Sequence, residues 1–288
     1  MTRSIILVFG AVLSALPAGK SFADTVQWPS VRSTSIKGPV AARNQDQPYA
    51  KRRPVTEDDR RQIEVYRSAG RTPAYFSDFS DGVRLQSEWD IHTDDMPNLK
   101  SCRQRHNVSS SQNGLTLLTL VSNGCAAKWS TGQIVSKAKY RYGYFEASMK
   151  IADIPGMDNA FWLTTDDHYE IDAVEAFFPN LLTATLHEWW SPATKKHTAV
   201  LTSARTEADL SKDFHDYGVL WSPTDIIFAI DGRPFAALTI NGAAKAPAKI
   251  RLSNALSDNG GEPPQHPEGH NTYIRAVRVL PLPEQSPN

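Results

Sequence analysis

"DDHYEIDAVEAFF", residues 166–178, sets three carboxylates into a single apolar run. In a regular strand, residues i and i+2 share a face, so Glu170 and Asp172 point one way and Ile171 the other. Glu175 lies five positions after Glu170 and falls on the opposite side under strict alternation. A β-bulge near Ala173–Val174 removes the conflict, because one extra residue shifts the alternation by one and returns Glu175 to the face of the other two. Three acids on one face of an apolar strand do not belong in a core, where an unpaired carboxylate costs several kcal/mol. The face therefore lines a wet cleft.

The same strand texture runs outward from this stretch. "GLTLLTLVS" follows an Asn113–Gly114 turn, and "GQIVSKAKY", "GYFEASMKIA", "NAFWLTT", "LLTATLHEWW", "HTAVLTSA", "HDYGVLWS", "DIIFAIDG", "FAALTI" and "TYIRAVRVL" complete the series. Gly, Pro, Asn or Asp separate them and no long helical period intervenes. About eleven short strands at this spacing argue for an all-β sandwich or barrel, and roughly 210 residues from Pro73 suit a jelly roll. No internal repeat is evident.

The chain of 288 residues balances 31 Lys+Arg against 31 Asp+Glu, with a pI near 7.1. That balance gives no electrostatic hold on nucleic acid or an anionic membrane. Residues 1–23 read as a secretory signal, with Arg3, the apolar "SIILVFGAVLSALPAG" and the small-residue site "SFA" before Asp24. Pro17 and Lys20 cut the apolar run short of a membrane span, and no later segment replaces it. Residues 24–72 are polar and poor in aliphatic side chains, which reads as an extension outside the fold, with room for one short helix capped by Thr56. Residues 73–283 form the folded domain. In an exported protein the only two cysteines, Cys102 and Cys125, are expected to form a disulfide. Two thiols without nearby paired histidines do not make a zinc site. The protein is read as a secreted or periplasmic monomer.

Paired carboxyls at this density suit glycoside hydrolysis, which needs one ionised and one protonated group, about 5–5.5 Å apart when configuration is retained. A third carboxylate between them pushes one pKa upward by like-charge repulsion. On pattern alone, a calcium site, a solvated edge strand and a sugar-binding face without catalysis are the other readings. Calcium loops, however, favour Gly and Asn over Ile and Val.

"EIDAVE" resembles the bulged signature E-x-D-x-x-E of glycoside hydrolase family 16, which includes laminarinases, agarases, porphyranases and κ-carrageenases. The resemblance extends to "FSDFSDGVRLQSEWDI" as the family's first strand region, "GQIVSKAKYRYGYFEASMKIA" as the strand pair upstream of the site, "AFWLTT" just before it, and "FHDYGVLWSPTDIIFAIDGRPF" downstream. Together these cover most of residues 75–280 in family order. The resemblance implies a curved antiparallel β-sandwich, a jelly roll, whose active strand crosses a concave substrate cleft. It implies Glu170 as nucleophile, Glu175 as general acid/base and Asp172 as the group that orients Glu170. The implied reaction is internal cleavage of a β-linked polysaccharide with retention, without metal or organic cofactor. A β-1,3- or mixed-linkage glucan is the expected substrate. An agar-type galactan, an exopolysaccharide, transglycosylation and lectin-like binding without catalysis are the alternatives.

A polysaccharide cleft needs aromatic platforms for the apolar faces of sugar rings. Trp162, eight residues before Glu170, is placed beside the cleaved bond by the resemblance, with a core tryptophan as the other reading. In "LHEWW", His187 and Trp189 share one strand face and are assigned to the cleft; His187 suits a hydrogen bond to Asp172 or to a substrate hydroxyl, with a structural histidine as the alternative. Trp129 is assigned to a subsite wall and Asn159 to the cleft rim. Trp221 is explained as well by burial, and Trp28 and Trp89 are given no substrate role. The loop 257–271 is expected to border the groove; His266 and His270 within it are not spaced as a metal pair. "YIRAVRVL" puts Arg275 where the family's final strand often carries a calcium-ligating Asp, which argues against a cation there.

Overall fold

The computed structural model describes residues 28, 34–40, 45–68, 71–190 and 195–282. The expected export signal, residues 1–23, lies outside them. Two antiparallel sheets pack face to face. The first runs, in spatial order, Ile36–Pro39, Thr198–Thr206, Leu181–Glu188, Tyr169–Phe177, Met157–Thr165, Ala248–Leu256, Gln133–Tyr140 and Trp89–Ile91. The second runs Ala50–Arg53, Arg233–Ile240, Asp225–Ile230, His215–Trp221, Gly143–Lys150, Thr272–Leu280, Gly114–Leu117 and Val108–Ser111, with Tyr75–Ser77 also on Thr272–Leu280. This is the all-β sandwich expected, and the strand of three acids lies in the middle of the first sheet.

Alternation explains how the layers close. Along Met157–Thr165, Phe161 and Leu163 enter the core and Trp162 and Thr164 face away from it. Phe145, Met149, Tyr217, Trp221 and Phe228 meet them from the second sheet. Each such side chain, once buried, contributes about 1.5–3 kcal/mol. Tight turns set the register. At Gly114 (φ +108°) a Cβ would stand 2.5 Å from the Ile274 carbonyl oxygen, so only glycine lets the two strands approach. Asp231 and Gly232, both at positive φ, form the two-residue hairpin between Asp225–Ile230 and Arg233–Ile240.

The eleven expected strands are present, and the longest of those not expected lies on the cleft-forming sheet. "AKIRLSNAL" (Ala248–Leu256) pairs with the expected strand Met157–Thr165 on the cleft-forming sheet. The first strand region is also more divided than expected. Asp81 caps a short helix, Gly82–Glu88, between the strands Tyr75–Ser77 and Trp89–Ile91. A small third sheet, Ser101–Arg103, Trp129–Thr131 and Leu120–Val121, carries the Cys102–Cys125 disulfide. A bridge across a separation of 23 residues restricts the unfolded chain by about 3 kcal/mol in the chain-entropy account. Arg275 lays its guanidinium over Phe214, 4.6 Å from the ring centroid.

The extension differs most from expectation. Within residues 24–72, Ile36–Pro39 extends the first sheet at its edge and Ala50–Arg53 extends the second. Thr56 caps the helix Glu57–Arg67 in a reciprocal capping box with Asp59. Ile63 and Tyr66 pack on Tyr144, Leu220, Ile227, Ala237 and Leu280 across the outer face of the second sheet. Arg67 pairs with Glu146 and, at 2.9 Å, with Asp216, and Trp28 Nε1 donates to Asp216 at 2.8 Å. Composition suggested a solvated tail because the segment's few apolar residues are spaced along a helix. They cover a sheet face that is itself apolar.

Candidate active site

The bulge in Tyr169–Phe177 lies where alternation requires it. Against Met157–Thr165, Phe161 pairs with Val174 and Trp162 with Asp172, which leaves Ala173 without a partner in register. Against Leu181–Glu188, Asp172 pairs with Thr185 and Glu175 with Thr183. Ala173 and Val174 are both buried in the core. Glu170, Asp172 and Glu175 therefore share the outer face of the first sheet.

Their surroundings differ. Glu175 Oε2 accepts from Thr183 Oγ1 at 2.9 Å. Asp172, buried, accepts at Oδ2 from His187 Nε2 at 2.8 Å. Burial alone would lower His187, but the hydrogen bond to Asp172 and the charges of Asp172, Glu170 and Glu175 outweigh it and raise the imidazole to about 9. Burial and then the His187 charge lower His197, so neutral His197 accepts at Nε2 from His187 Nδ1, at 2.8 Å. Trp189 stacks on His197 with centroids 4.3 Å apart. Burial, then Asp172, raises Glu170 to about 8, against the opposing effects of His187, a hydrogen bond from Trp189, and Arg251. Burial and Asp172 raise Glu175 as well, and its hydrogen bonds oppose them. His187 favours ionisation of both glutamates; Trp189 and Arg251 add to it at Glu170.

Trp162 shares the face of the acids, opposite Asp172, with Nε1 donating to Ser253 Oγ at 3.0 Å and Arg251 over its ring at 4.8 Å. His187 and Trp189 flank the acids. One assignment is corrected. Asn159 is fully buried on the core-facing side, where it bonds the Ala152 N–H and the carbonyls of Met157 and Ala176, so it is a structural residue and not a cleft rim. Trp129 is half-buried: it packs on the satellite cluster Ala152, Ile154, Met157 and Leu256 and carries Lys128 over its ring. Trp221 and Trp89 are buried. From the loop 257–271, Asp258, Asn259, Gly260 and Gly261 border a cavity of about 480 Å³ that Glu175 also lines. His266 pairs with Glu268 and His270 with Asp153, so they do not converge.

Sequence reasoning missed Asp158, Arg251 and His197. Counting back by twos from Trp162 puts Ala160 and Asp158, not Asn159, on the cleft face, and that signal was available. Arg251 belongs to the missed strand, and His197 depends on how one hairpin folds back. Among the described residues, donor atoms of Glu170, Asp172 and His187 lie within 4.8 Å of one another, but the imidazole is engaged by Asp172. In the other such group, Asp95, Cys102 and Cys125, both sulfurs are in the disulfide.

The sequence profile described as Glycosyl hydrolases family 16 matches residues 96–272. The endo-1,3-1,4-beta-glycanase EglC of Rhizobium meliloti is 30% identical over 142 residues, covering 47% of this chain and 30% of that protein. A beta-glucanase of Acetivibrio thermocellus is 27% identical over 183 residues, covering 62% of this chain and 52% of that protein. The chain thus spans about half or less of these relatives. The laminarinase catalytic domain of Thermotoga maritima superimposes with a TM-score of 0.63 at 17% identity, covering 73% of this chain and 98% of that one.

Proposed function

The chain belongs to glycosyl hydrolase family 16, and from that premise we propose that it is an exported, endo-acting, retaining hydrolase of a β-linked polysaccharide. The observation that carries the reading is the bulge that returns Glu175 to the face of Glu170 and Asp172. In the proposed reaction, Glu170 attacks the anomeric carbon while Glu175 gives its proton to the departing glycosidic oxygen. A water deprotonated by Glu175 then releases the sugar from Glu170. Asp172, held by His187, orients Glu170. Trp162 and Trp189 present aromatic surface to the sugar rings on either side.

The expected substrate is a β-1,3- or mixed-linkage glucan, as the names of the glycanase and glucanase relatives suggest. Reducing-end release from a panel of β-glucans, agar-type galactans and acidic exopolysaccharides tests both activity and substrate. Internal cleavage of a glucan, with β-configured products by proton NMR, is the expected result. Binding without cleavage across the panel would leave a lectin, and α-configured products would rule out the double displacement.

A further inference from the structure

Asp158 lies on the strand Met157–Thr165, whose cleft face carries Trp162, and two residues before Ala160, the direct partner of Glu175. Its Oδ1 is sealed from solvent and receives a hydrogen bond from no described donor. A carboxylate oxygen in that position would be strongly penalised, whereas a carboxylic acid needs only an acceptor for its one proton. Glu175, diagonal to Asp158 on the paired strand and on the same face, is that acceptor, the group to which the Asp158 carboxyl couples most strongly. On the other strand neighbour, Asp158 faces Ala255, which offers no side-chain partner.

We propose that Asp158 is a positioning residue for proton transfer, a neutral carboxyl whose O–H donates to Glu175 throughout the reaction. The proposal rests on Glu175 being the acid/base. When the Glu175 O–H bond breaks and its proton passes to the glycosidic oxygen, the carboxylate left behind is met by a donor already in place. When Glu175 next takes a proton from water, the same hydrogen bond keeps it aimed. Asp158 neither gains nor loses a proton in either step.

The charged groups facing the pair bear this out. Burial raises Asp158 well above the carboxylate range, followed by Glu175 and Asp172; Arg103 opposes this but is itself bound to Asp94 at 3.1 Å. From the carboxylate strand comes Asp172, from Leu181–Glu188 comes His187, and Arg205 and Asp258 stand at the cavity beside Glu175. The anionic members crowd the pair and favour a proton on Asp158.

The test compares D158L, which fills a similar volume without a donor, with D158N, which keeps an N–H donor and no charge. The pH profile of kcat/KM is measured on the polysaccharide that the panel selects. With its donor gone, Glu175 holds its proton more tightly, so in D158L the alkaline limb moves to higher pH and the rate falls about tenfold or more. In D158N the limb stays near the wild-type position. On a 2,4-dinitrophenyl glycoside, whose leaving group needs no proton, D158L loses far less. A downward shift in D158N would show an ionised Asp158 and overturn the proposal, as would unmoved limbs in both variants. If D158L does not fold, D158A, which removes the donor without added bulk, takes its place beside D158N, and an alkaline limb that stays put in D158A overturns the proposal in the same way. E175A, run in parallel, separates the two levels. Equal losses on polysaccharide and aryl glycoside would remove Glu175 as the acid and the proposal with it, whereas a selective loss on polysaccharide with an unmoved D158L limb would sink only the role of Asp158.

Discussion

Under the proposed mechanism Glu170 and Glu175 should fail differently when removed, because only one of them would bond to the sugar. Glu170→Ala leaves no nucleophile, and Glu175→Ala leaves the leaving oxygen unprotonated; each is expected to lower hydrolysis of polysaccharide by about 10³-fold or more. Added azide should yield the β-azide with Glu175→Ala and the α-azide with Glu170→Ala, read by NMR of the products. The reverse stereochemistry would exchange the two roles. His187 gives a pH test. It lowers Glu170, so in His187→Asn the nucleophile holds its proton more tightly and the acid limb of kcat/KM moves to higher pH. An unmoved limb would reduce His187 to a structural residue. Much of this site was legible, because cross-strand neighbours follow from period-two counting. The error at Asn159 was one of parity, since its neighbour Asp158 carries the cleft-facing position. His197 was not legible, because its approach to His187 depends on the path of the hairpin between their strands.

At the scale of elements, the bulge is the decisive device. Deleting Ala173, the residue without a partner in register, leaves Glu170, Asp172 and Glu175 at i, i+2 and i+4 of a regular strand. That variant should fold and retain measurable hydrolysis. Inserting one alanine between Val174 and Glu175 sends Glu175 to the core face instead, and activity should vanish with loss of soluble protein. Equal behaviour of the two variants, by thermal melts and reducing-end release, would mean that face parity is not what the bulge preserves. The bulge was legible because three acids on an apolar strand have one wet solution. The strand Ala248–Leu256 was not read as one; Lys249 and Arg251 alternate with buried neighbours only in its first half.

At the scale of the molecule, the N-terminal segment is a third layer. Glu146 and Asp216 have fully buried side chains on the outer side of the second sheet, and Arg67 reaches both. Arg67→Ala leaves buried carboxylates short of a cation and is expected to cost about 3–5 kcal/mol, measured by urea unfolding. A cost under about 1 kcal/mol would return the segment to the status of a tail. This layer was illegible from composition because averages hide where apolar residues fall; Ile63 and Tyr66 are few, but they share one side of a helix.

The segment also covers one edge of each sheet. Ile36–Pro39 occupies the hydrogen-bonding edge of Thr198–Thr206, and Ala50–Arg53 that of Arg233–Ile240. A protein trimmed to residue 54 would present two bare rows of peptide donors and acceptors, each open to a strand from another molecule. Light scattering of the trimmed protein below its melting temperature should therefore rise with concentration, while the intact chain stays clear. The leading segment is thus expected to act as an insulator: by laying a short strand on one edge of each sheet, it would keep the sandwich from adding to its own copies.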